Sequence, residues 1–255
     1  MAAKAHSPSP HLTPCYFLYY PKKKDYWRFY EMKEKETIEY LDLKSLVPFR
    51  NHPFKLRNGE EKEQLLQSIK TQGAIEPLIV RPLSESEYEV ISGYRRMEIC
   101  KELGIEKIPV IVRNLTNEQA VSMMVDANLH RNNILPSERA FAYKMKLDAM
   151  KRQGQRTDLT CEPVAHKLKG MKSRDVLAEQ VGESKDQIRR YIRLTHLIPE
   201  ILELVDNSVL KDQEMLQIAM RPAVELSYLR KEEQADLFAI MDEMDCTPSH
   251  AQAIK

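Results

Sequence analysis

The chain has 255 residues, of which 42% are hydrophobic and 30% are charged, a composition typical of a globular rather than a disordered protein. Its length suits one large domain or two modest ones. The 39 Lys and Arg residues nearly balance the 38 Asp and Glu residues, which excludes a polycation that coats nucleic acid along its whole length. Apolar runs such as Leu78–Val80 are far shorter than the roughly 18 residues that a membrane span needs, so no membrane partner is expected.

Cysteine and glycine usage excludes several familiar sites. The four cysteines are scattered and form no CxxC pair, which excludes a zinc finger and argues against a disulfide framework, so a cytoplasmic protein is expected. Neither a Walker P-loop nor a GxGxxG fingerprint occurs among the seven glycines. A P-loop ATPase and a dinucleotide-binding Rossmann domain are therefore not expected.

Residues 1–36 differ in composition from the rest of the chain. Ser-Pro repeats at Ser7–Pro10 discourage regular structure, and the aromatic residues that follow surround the basic run Lys22–Lys24. We interpret this segment as a disordered or mis-started leader, with Met32 as the natural start. The alternative is a basic, aromatic arm that touches nucleic acid.

Short alternating patterns predict a compact α/β domain over residues 37–116. Glycines at Gly73 and Gly104 close its two predicted helices, and Pro109 is expected to place its own end of the last strand at an edge of the sheet. The predicted strands are 38–43, 77–81, 88–91 and 108–112, and the predicted helices are 60–72 and 94–103.

Residues 117–255 are helical in pattern and carry an uneven charge. Twelve Lys and Arg face seven Asp and Glu over residues 146–196, whereas five face twelve over residues 197–255. A polyanionic partner is therefore expected to dock centrally. The helical pattern is interrupted at Pro136, 154–163, Gly182, Pro199 and Pro222.

The segment Ser92–Arg96 lies between a predicted strand and a predicted helix. Gly93 permits a tight turn, and the free N–H groups of the helix carry the positive end of its dipole. Arg95 and Arg96 add donors that fit phosphate oxygens, which indicates a site for a phosphorylated ligand. The alternative is a surface helix whose arginines pair with carboxylates.

A second polar cluster, Val125–Asn133, precedes the helix that starts near Pro136. It contains Asn128, His130 and Arg131, which could contact a triphosphate or a metal ion. The alternative is a capped turn between two helices.

Residues 174–193 carry the spacing of a helix-turn-helix. Ala178 is small where two helices cross, and Gly182 follows where the turn needs a positive φ. Glu183 stands where an apolar residue is common, so its side chain is expected to point to solvent. The alternative is a helical hairpin within a bundle.

The second helix of this pair would read DNA. Ser184 is a suitable N-cap. Lys185 and Gln187 follow it at positions that reach base edges in the major groove. The arginines further along are expected to hold the backbone, and they are Arg189, Arg190 and Arg193.

The order of these motifs from Leu41 onward resembles the ParB partition proteins, especially those of plasmids and integrated mobile elements. The resemblance includes the blocks Asn51–Lys55, Pro77–Pro82 and Arg221–Leu229. It implies an α+β fold, with a small ParB/sulfiredoxin-like α/β domain followed by an all-α helix-turn-helix domain over 117–255.

The resemblance also implies a function. ParB proteins bind CTP with Mg²⁺ and close as a clamp on double-stranded DNA at a palindromic, centromere-like site. Gly93, Arg95 and Arg96 would hold the CTP phosphates, and Asn128 and Arg131 would belong to the second nucleotide motif. A homodimer, a ParA-like ATPase partner and a cytoplasmic location at the nucleoid or a plasmid are expected.

The chain departs from the family pattern at three positions of the nucleotide motifs. Tyr94 and Ala127 replace glutamates, and His130 replaces a glutamine, which should weaken Mg²⁺ coordination and hydrolysis first. The rival interpretations are a ParB-fold CTPase, weak or degenerate, or a nuclease, and a transcriptional regulator indifferent to nucleotide.

The end of the chain is a further departure. A helix is expected to begin at Thr247–Pro248 and stops with the sequence at Lys255, before the dimerisation domain usual in ParB proteins. Either the chain is truncated, or it pairs through another surface such as residues 225–245.

Overall fold

A computed structural model describes residues 37–55, 59–73, 76–129, 131, 133–155, 173–210 and 215–254. The predicted leader, residues 1–36, lies outside them. Strands mixed with helices come first in the described part, and helices alone follow, so the predicted α+β fold class is confirmed. None of the helices in these ranges combines the length and apolarity that crossing a membrane requires.

The sheet is mixed, with the strand order β1-β5-β3-β4-β2. Antiparallel pairs join β1 to β5 and β3 to β4, whereas β5 and β3, like β4 and β2, run parallel. The strands are β1 Ile38–Asp42, β2 Leu46–Pro48, β3 Leu78–Pro82, β4 Tyr88–Ser92 and β5 Lys107–Val112.

Strand β4 is covered on both faces, and this positions the turn that follows it. Val90 faces a core shared with α1 (Glu60–Gln72) and α2 (Tyr94–Glu102). Ile91, on the opposite face because strand side chains alternate, packs in a second core with α3 (Asn117–Leu129). The strand end is therefore held between helices.

The next helix, α4 (Pro136–Gln155), connects the sheet region to the helical region. In its first turn the buried Glu138 accepts hydrogen bonds from the backbone N–H groups of Lys55, at 2.9 Å, and Leu135, at 3.1 Å. The backbone N–H of Ser137 donates to Asp206 at 2.9 Å. The start of α4 is thus tied to both regions.

The helical region has its own apolar core. Side chains of α4, such as Tyr143 and Leu147, pack there against the helices that follow. These helices are α5 Ser173–Val181, α6 Lys185–Leu194, α7 Pro199–Leu210, α8 Met220–Leu226, α9 Lys231–Glu243 and α10 His250–Ala253.

Among the described strands, the end of β5 that carries Pro109 pairs with β1 alone, because β3 pairs only with residues 110–112 of β5. That end is therefore open on one side, as expected from the missing N–H of proline. Two local expectations are wrong. Pro222 does not interrupt a helix but lies in the first turn of α8, where a missing N–H costs no helical hydrogen bond. The last helix has Ser249 as its N-cap, whereas Thr247 donates to the carbonyl of Gln217.

Candidate functional site

The turn from β4 to α2 is built around Gly93, the N-cap of α2. Its φ of +98° lies in the left-handed region that favours glycine. A Cβ atom there would lie 2.3 Å from Cδ2 of the fully buried Leu78. Both the backbone conformation and the space therefore require glycine, and the first N–H groups of α2 are left facing outward.

Both arginines of the following turn pair with acidic residues. Arg95 Nη1 lies 3.0 Å from Glu61 Oε2 of α1. Arg96 donates to the backbone carbonyl of Glu76, and its Nη1 lies 3.5 Å from the Glu76 carboxylate. Burial lowers the pKa of Arg96, and Glu76 opposes that shift. A desolvated guanidinium of this kind gains from a nearby anion.

The second polar cluster contributes a buried amide. Asn128, in the last turn of α3, donates from Nδ2 to the carbonyl of Met124 at 2.7 Å. Its Oδ1 is buried and has no hydrogen-bond partner among the described residues. Since a buried acceptor without a donor costs about 1–3 kcal/mol, Asn128 is prepared to accept a hydrogen bond from a bound group. His130 lies outside the described residues.

The two motifs meet through Glu61 and His52, which sequence reasoning did not assign to the site. Glu61 accepts a hydrogen bond from Asn133 Nδ2 at 2.8 Å through the oxygen that does not face Arg95. The ring of His52 lies 4.8 Å from that of Tyr94. Burial lowers the pKa of His52, and the charge of Arg131 lowers it further. The turn at Gly93 and the segment after α3 therefore form one surface.

This surface fits an anionic nucleotide better than it fits a metal centre. The turn supplies a glycine that cannot be replaced and two arginines, and the last turn of α3 adds a buried amide oxygen without a hydrogen-bond partner among the described residues. The Ala127 methyl group offers no metal ligand, and the neighbouring Asp126 pairs with Lys146. Among the described residues, no three His, Cys, Asp or Glu side chains cluster closely enough to hold a metal ion.

The second candidate surface belongs to α5 and α6, which we call the helix pair. Gly182 ends α5 with a φ of +70°, as the spacing predicted. Ser184 is the N-cap of α6, and its hydroxyl accepts from the backbone N–H of Gln187 at 3.1 Å. Ile188 and Leu194 of α6 are fully buried against α4 and α5. The helix pair therefore has one buried face and one face toward solvent.

The predicted DNA-contacting residues divide into three environments. Lys185 is exposed and lies 3.1 Å from Asp175 of α5, and Gln187 is half-buried. Arg189 and Arg190 are exposed, and no carboxylate of the described residues pairs with either. Arg193 is half-buried and donates to Ser227, in the turn that follows α8.

The expectation that Glu183 points to solvent is wrong. Its Oε1 lies 3.0 Å from Arg139 Nη1 of α4, and both side chains are mostly buried. The guanidinium of Arg139 also lies 5.4 Å from the ring centroid of Tyr191. Burial and Glu183 raise the pKa of Tyr143 beside this cluster. Where an apolar residue is common at this position, Glu183 instead forms an ion pair that joins the turn of the helix pair to α4.

The chain has relatives among known proteins. The nucleoid occlusion protein of Lysinibacillus sphaericus (strain C3-41) is 29% identical over 232 residues, which are 85% of this chain and 71% of that protein. The nucleoid occlusion protein of Geobacillus kaustophilus (strain HTA426) is 30% identical over 173 residues, or 68% of this chain and 54% of that protein.

A solved structure is also similar. The C-terminally truncated chromosome-partitioning protein ParB from Caulobacter crescentus, complexed to the centromeric parS site, is 19% identical, with a TM-score of 0.43. The match covers 85% of this chain and 96% of that one. The family model of the ParB N-terminal domain matches residues 30–129 of this chain. The family-model match, together with the nucleoid occlusion relatives, shows that the chain belongs to the ParB family.

Proposed function

We propose that this protein binds a specific, palindromic site on double-stranded DNA, and that CTP regulates this binding in the partition or maintenance of a plasmid or mobile element. Membership of the ParB family supports the proposal. A palindromic site calls for two-fold symmetry, so the protein would act as a homodimer. A ParA-like ATPase would be its partner, and the protein would reside at the nucleoid or on a plasmid.

The solvent face of α6 carries this proposal. It begins at a capped N-terminus and presents Lys185 and Gln187 in its first turn. Arg189 and Arg190 follow on the exposed side with no carboxylate partner in the described part of the chain. Cations held on one face of a rigid helix, beside residues that can reach base edges, match what the major groove requires.

The nucleotide would bind at the turn formed by Gly93. Arg95 and Arg96 would bind the phosphates once their ion pairs with Glu61 and Glu76 break. Asn128 Oδ1 would accept a hydrogen bond from the ligand. Arg131 would add charge on the side of His52. Bound Mg²⁺ would offset phosphate charge, with its remaining ligands from nucleotide and water rather than from protein carboxylates.

The DNA arm of the proposal is tested by selection from a randomised duplex library. We expect recovery of a palindromic sequence that binds at least about a thousandfold more tightly than unrelated duplex. Addition of CTP should change the affinity or the lifetime of that complex. A failure to enrich any sequence would contradict the proposal, and an enriched site indifferent to CTP would favour a transcriptional regulator.

The nucleotide arm is tested by calorimetric titration with CTP and with ATP. Arg96→Ala should abolish CTP binding, because it removes a partly desolvated guanidinium that would donate hydrogen bonds to the phosphates. Arg221→Ala is the matched control, since Arg221 is an exposed arginine of α8. Equal binding of ATP and CTP would contradict the assignment of CTP. Sustained CTP hydrolysis that is lost in Arg96→Ala would instead favour the interpretation of the chain as a ParB-fold CTPase.

A further inference from the structure

The end of α6 holds a cation in a fixed position without neutralising it. Arg193 donates from Nε to the Ser227 hydroxyl at 2.9 Å and from Nη2 to the Ser227 carbonyl. Its guanidinium carbon lies 3.8 Å from the ring centroid of Tyr228. No carboxylate of the described residues pairs with Arg193. Neutral partners therefore orient this guanidinium and leave its full positive charge.

Further cations surround the same point. Lys231, at the start of α9, donates to the backbone carbonyl of His196 at 2.7 Å. Burial lowers the pKa of His196, and the charges of Arg193, Lys144 and Lys231 lower it further. No acidic group contributes to that shift. The cations that act on His196 therefore come from α4, α6 and α9.

Of this cluster, Lys231 comes from an acidic part of the chain. Residues 197–255 carry twelve acidic against five basic residues. The exposed Arg230 is neutralised by Glu233 at 2.7 Å, whereas the adjacent Lys231 forms no ion pair in the described part of the chain. Lys231 is thus a cation of this acidic segment that lies at its junction with α6 without an acidic partner among the described residues.

The cluster continues the exposed face of α6. Residues four apart lie on the same side of a helix, so Arg193 is in line with Arg189 and Lys185. Tyr228, 59% exposed, borders this line at its C-terminal end. A duplex lying along the exposed face of α6 would bring its sugar-phosphate backbone to the end of the helix.

We propose that Arg193, Lys231 and Lys144 form, around His196, a binding site for a DNA backbone phosphate that flanks the bases read by the first turn of α6. We call it the flanking phosphate site. Tyr228 is its positioning residue, because it holds the Arg193 guanidinium by stacking. This inference rests on the proposed DNA binding and extends the backbone contact predicted for Arg193 to residues outside the helix pair.

A phosphate contact of this kind is independent of base sequence. Each neutralised phosphate releases condensed counterions, so it adds about 0.9 to the slope of log affinity against log salt concentration. An arginine already held in place loses less side-chain freedom on binding than a mobile one. The flanking phosphate site should therefore strengthen binding to any duplex.

The test measures binding to a mixed-sequence duplex of about 24 base pairs by fluorescence anisotropy between about 50 and 200 mM salt. We expect Lys231→Gln and Lys144→Gln each to weaken binding about three- to tenfold at the lower salt and to reduce the salt slope by about one. Lys101→Gln is the control, because it removes the same charge from a lysine of α2.

The outcomes separate this inference from the proposed function. If the wild-type protein binds duplex but Lys231→Gln and Lys144→Gln match Lys101→Gln, the flanking phosphate site is wrong and DNA binding stands. If the wild-type protein binds no duplex at the lowest salt, both proposals are overturned.

A second pair of variants tests the positioning role of Tyr228. Tyr228→Ala removes the ring face and should lower both the duplex affinity and the salt slope, whereas Tyr228→Phe keeps the face and should retain both. Thermal unfolding of the two variants, measured alongside, identifies any loss of fold. Equal binding by the two variants at equal stability would overturn the role of Tyr228.

Discussion

Arg95 Nη1 lies 3.0 Å from Glu61 Oε2, in an ion pair that joins the first turn of α2 to α1. Glu61 also accepts a hydrogen bond from Asn133, in the segment after α3. A carboxylate carries the same kind of charge and acceptor as a phosphate oxygen. In the proposed nucleotide site, Glu61 therefore occupies donors that the phosphates would need, and nucleotide binding would displace it.

Removing this competition should tighten nucleotide binding. The Glu61 side chain is 56% exposed, and exposed ion pairs contribute about 0–1 kcal/mol. Glu61→Gln should accordingly increase the affinity for CTP by about two- to fivefold in a calorimetric titration. Glu102→Gln is the control, because Glu102 pairs with Lys62 rather than with an arginine of the turn. Tightening by both variants alike would show a general charge effect instead of competition.

Gly93→Ala should destabilise the protein more than the same change at another positive-φ glycine. At Gly93 the added Cβ meets the buried Leu78 side chain, whereas at Gly104, with φ of +68°, nothing lies within 4 Å. We expect a loss of about 3 kcal/mol in the free energy of unfolding for Gly93→Ala and about 1 kcal/mol for Gly104→Ala. Urea denaturation measures both. Equal losses would mean that Leu78 moves aside freely.

Local patterns were sufficient to predict most elements of the fold. The helix at Glu60–Gln72 has the predicted bounds, because acidic residues begin it and a glycine ends it. The place of β5 in the sheet could not be predicted in this way. Strand order depends on pairing between distant segments, whereas Pro109 indicates only that its own end of β5 lacks a partner on one side.

The candidate site was predictable only where a single segment carries it. Gly93 and its arginines adjoin in sequence, so their chemistry could be recognised. Glu61 reaches the turn from 34 residues away, and Glu183 finds Arg139 across 44 residues. Side chains brought together by folding leave no local pattern, which is why Glu183 was wrongly expected to face solvent.

Acidification should destabilise the folded chain through His52. Burial lowers the pKa of His52 in the folded state below its ordinary value of 6.5, so the unfolded state takes up a proton first. Stability is then fully present above about pH 6.5 and falls as the pH drops, by at most about 1.4 kcal/mol per pH unit for one proton. His52→Gln should flatten this fall between about pH 7.5 and 5.5.

The comparison for His52 uses the exposed His250 of the last helix. His196 also has a lowered pKa, and it destabilises wild type and His52→Gln alike as the pH drops. The difference in free energy of unfolding between these two proteins therefore isolates the effect of His52. Urea denaturation at each pH gives the free energies. If the free energy of unfolding falls with pH as steeply in His52→Gln as in His250→Gln, His52 is not the source of the fall.

The two ends of the exposed face of α6 should respond differently to substitution. Gln187 lies in the first turn, where Ser184 fixes its backbone, and it is proposed to reach a base edge. Gln187→Ala should cost about 1–3 kcal/mol on a selected site and little on mixed-sequence duplex.

Arg190 is exposed and proposed to contact phosphate, so Arg190→Ala should weaken binding to both duplexes alike and lower the salt slope by about one. Anisotropy titrations of the two duplexes at several salt concentrations distinguish these effects. If Gln187→Ala reduces both affinities equally, Gln187 does not read a base, and an unchanged salt slope removes Arg190 from the phosphate contacts.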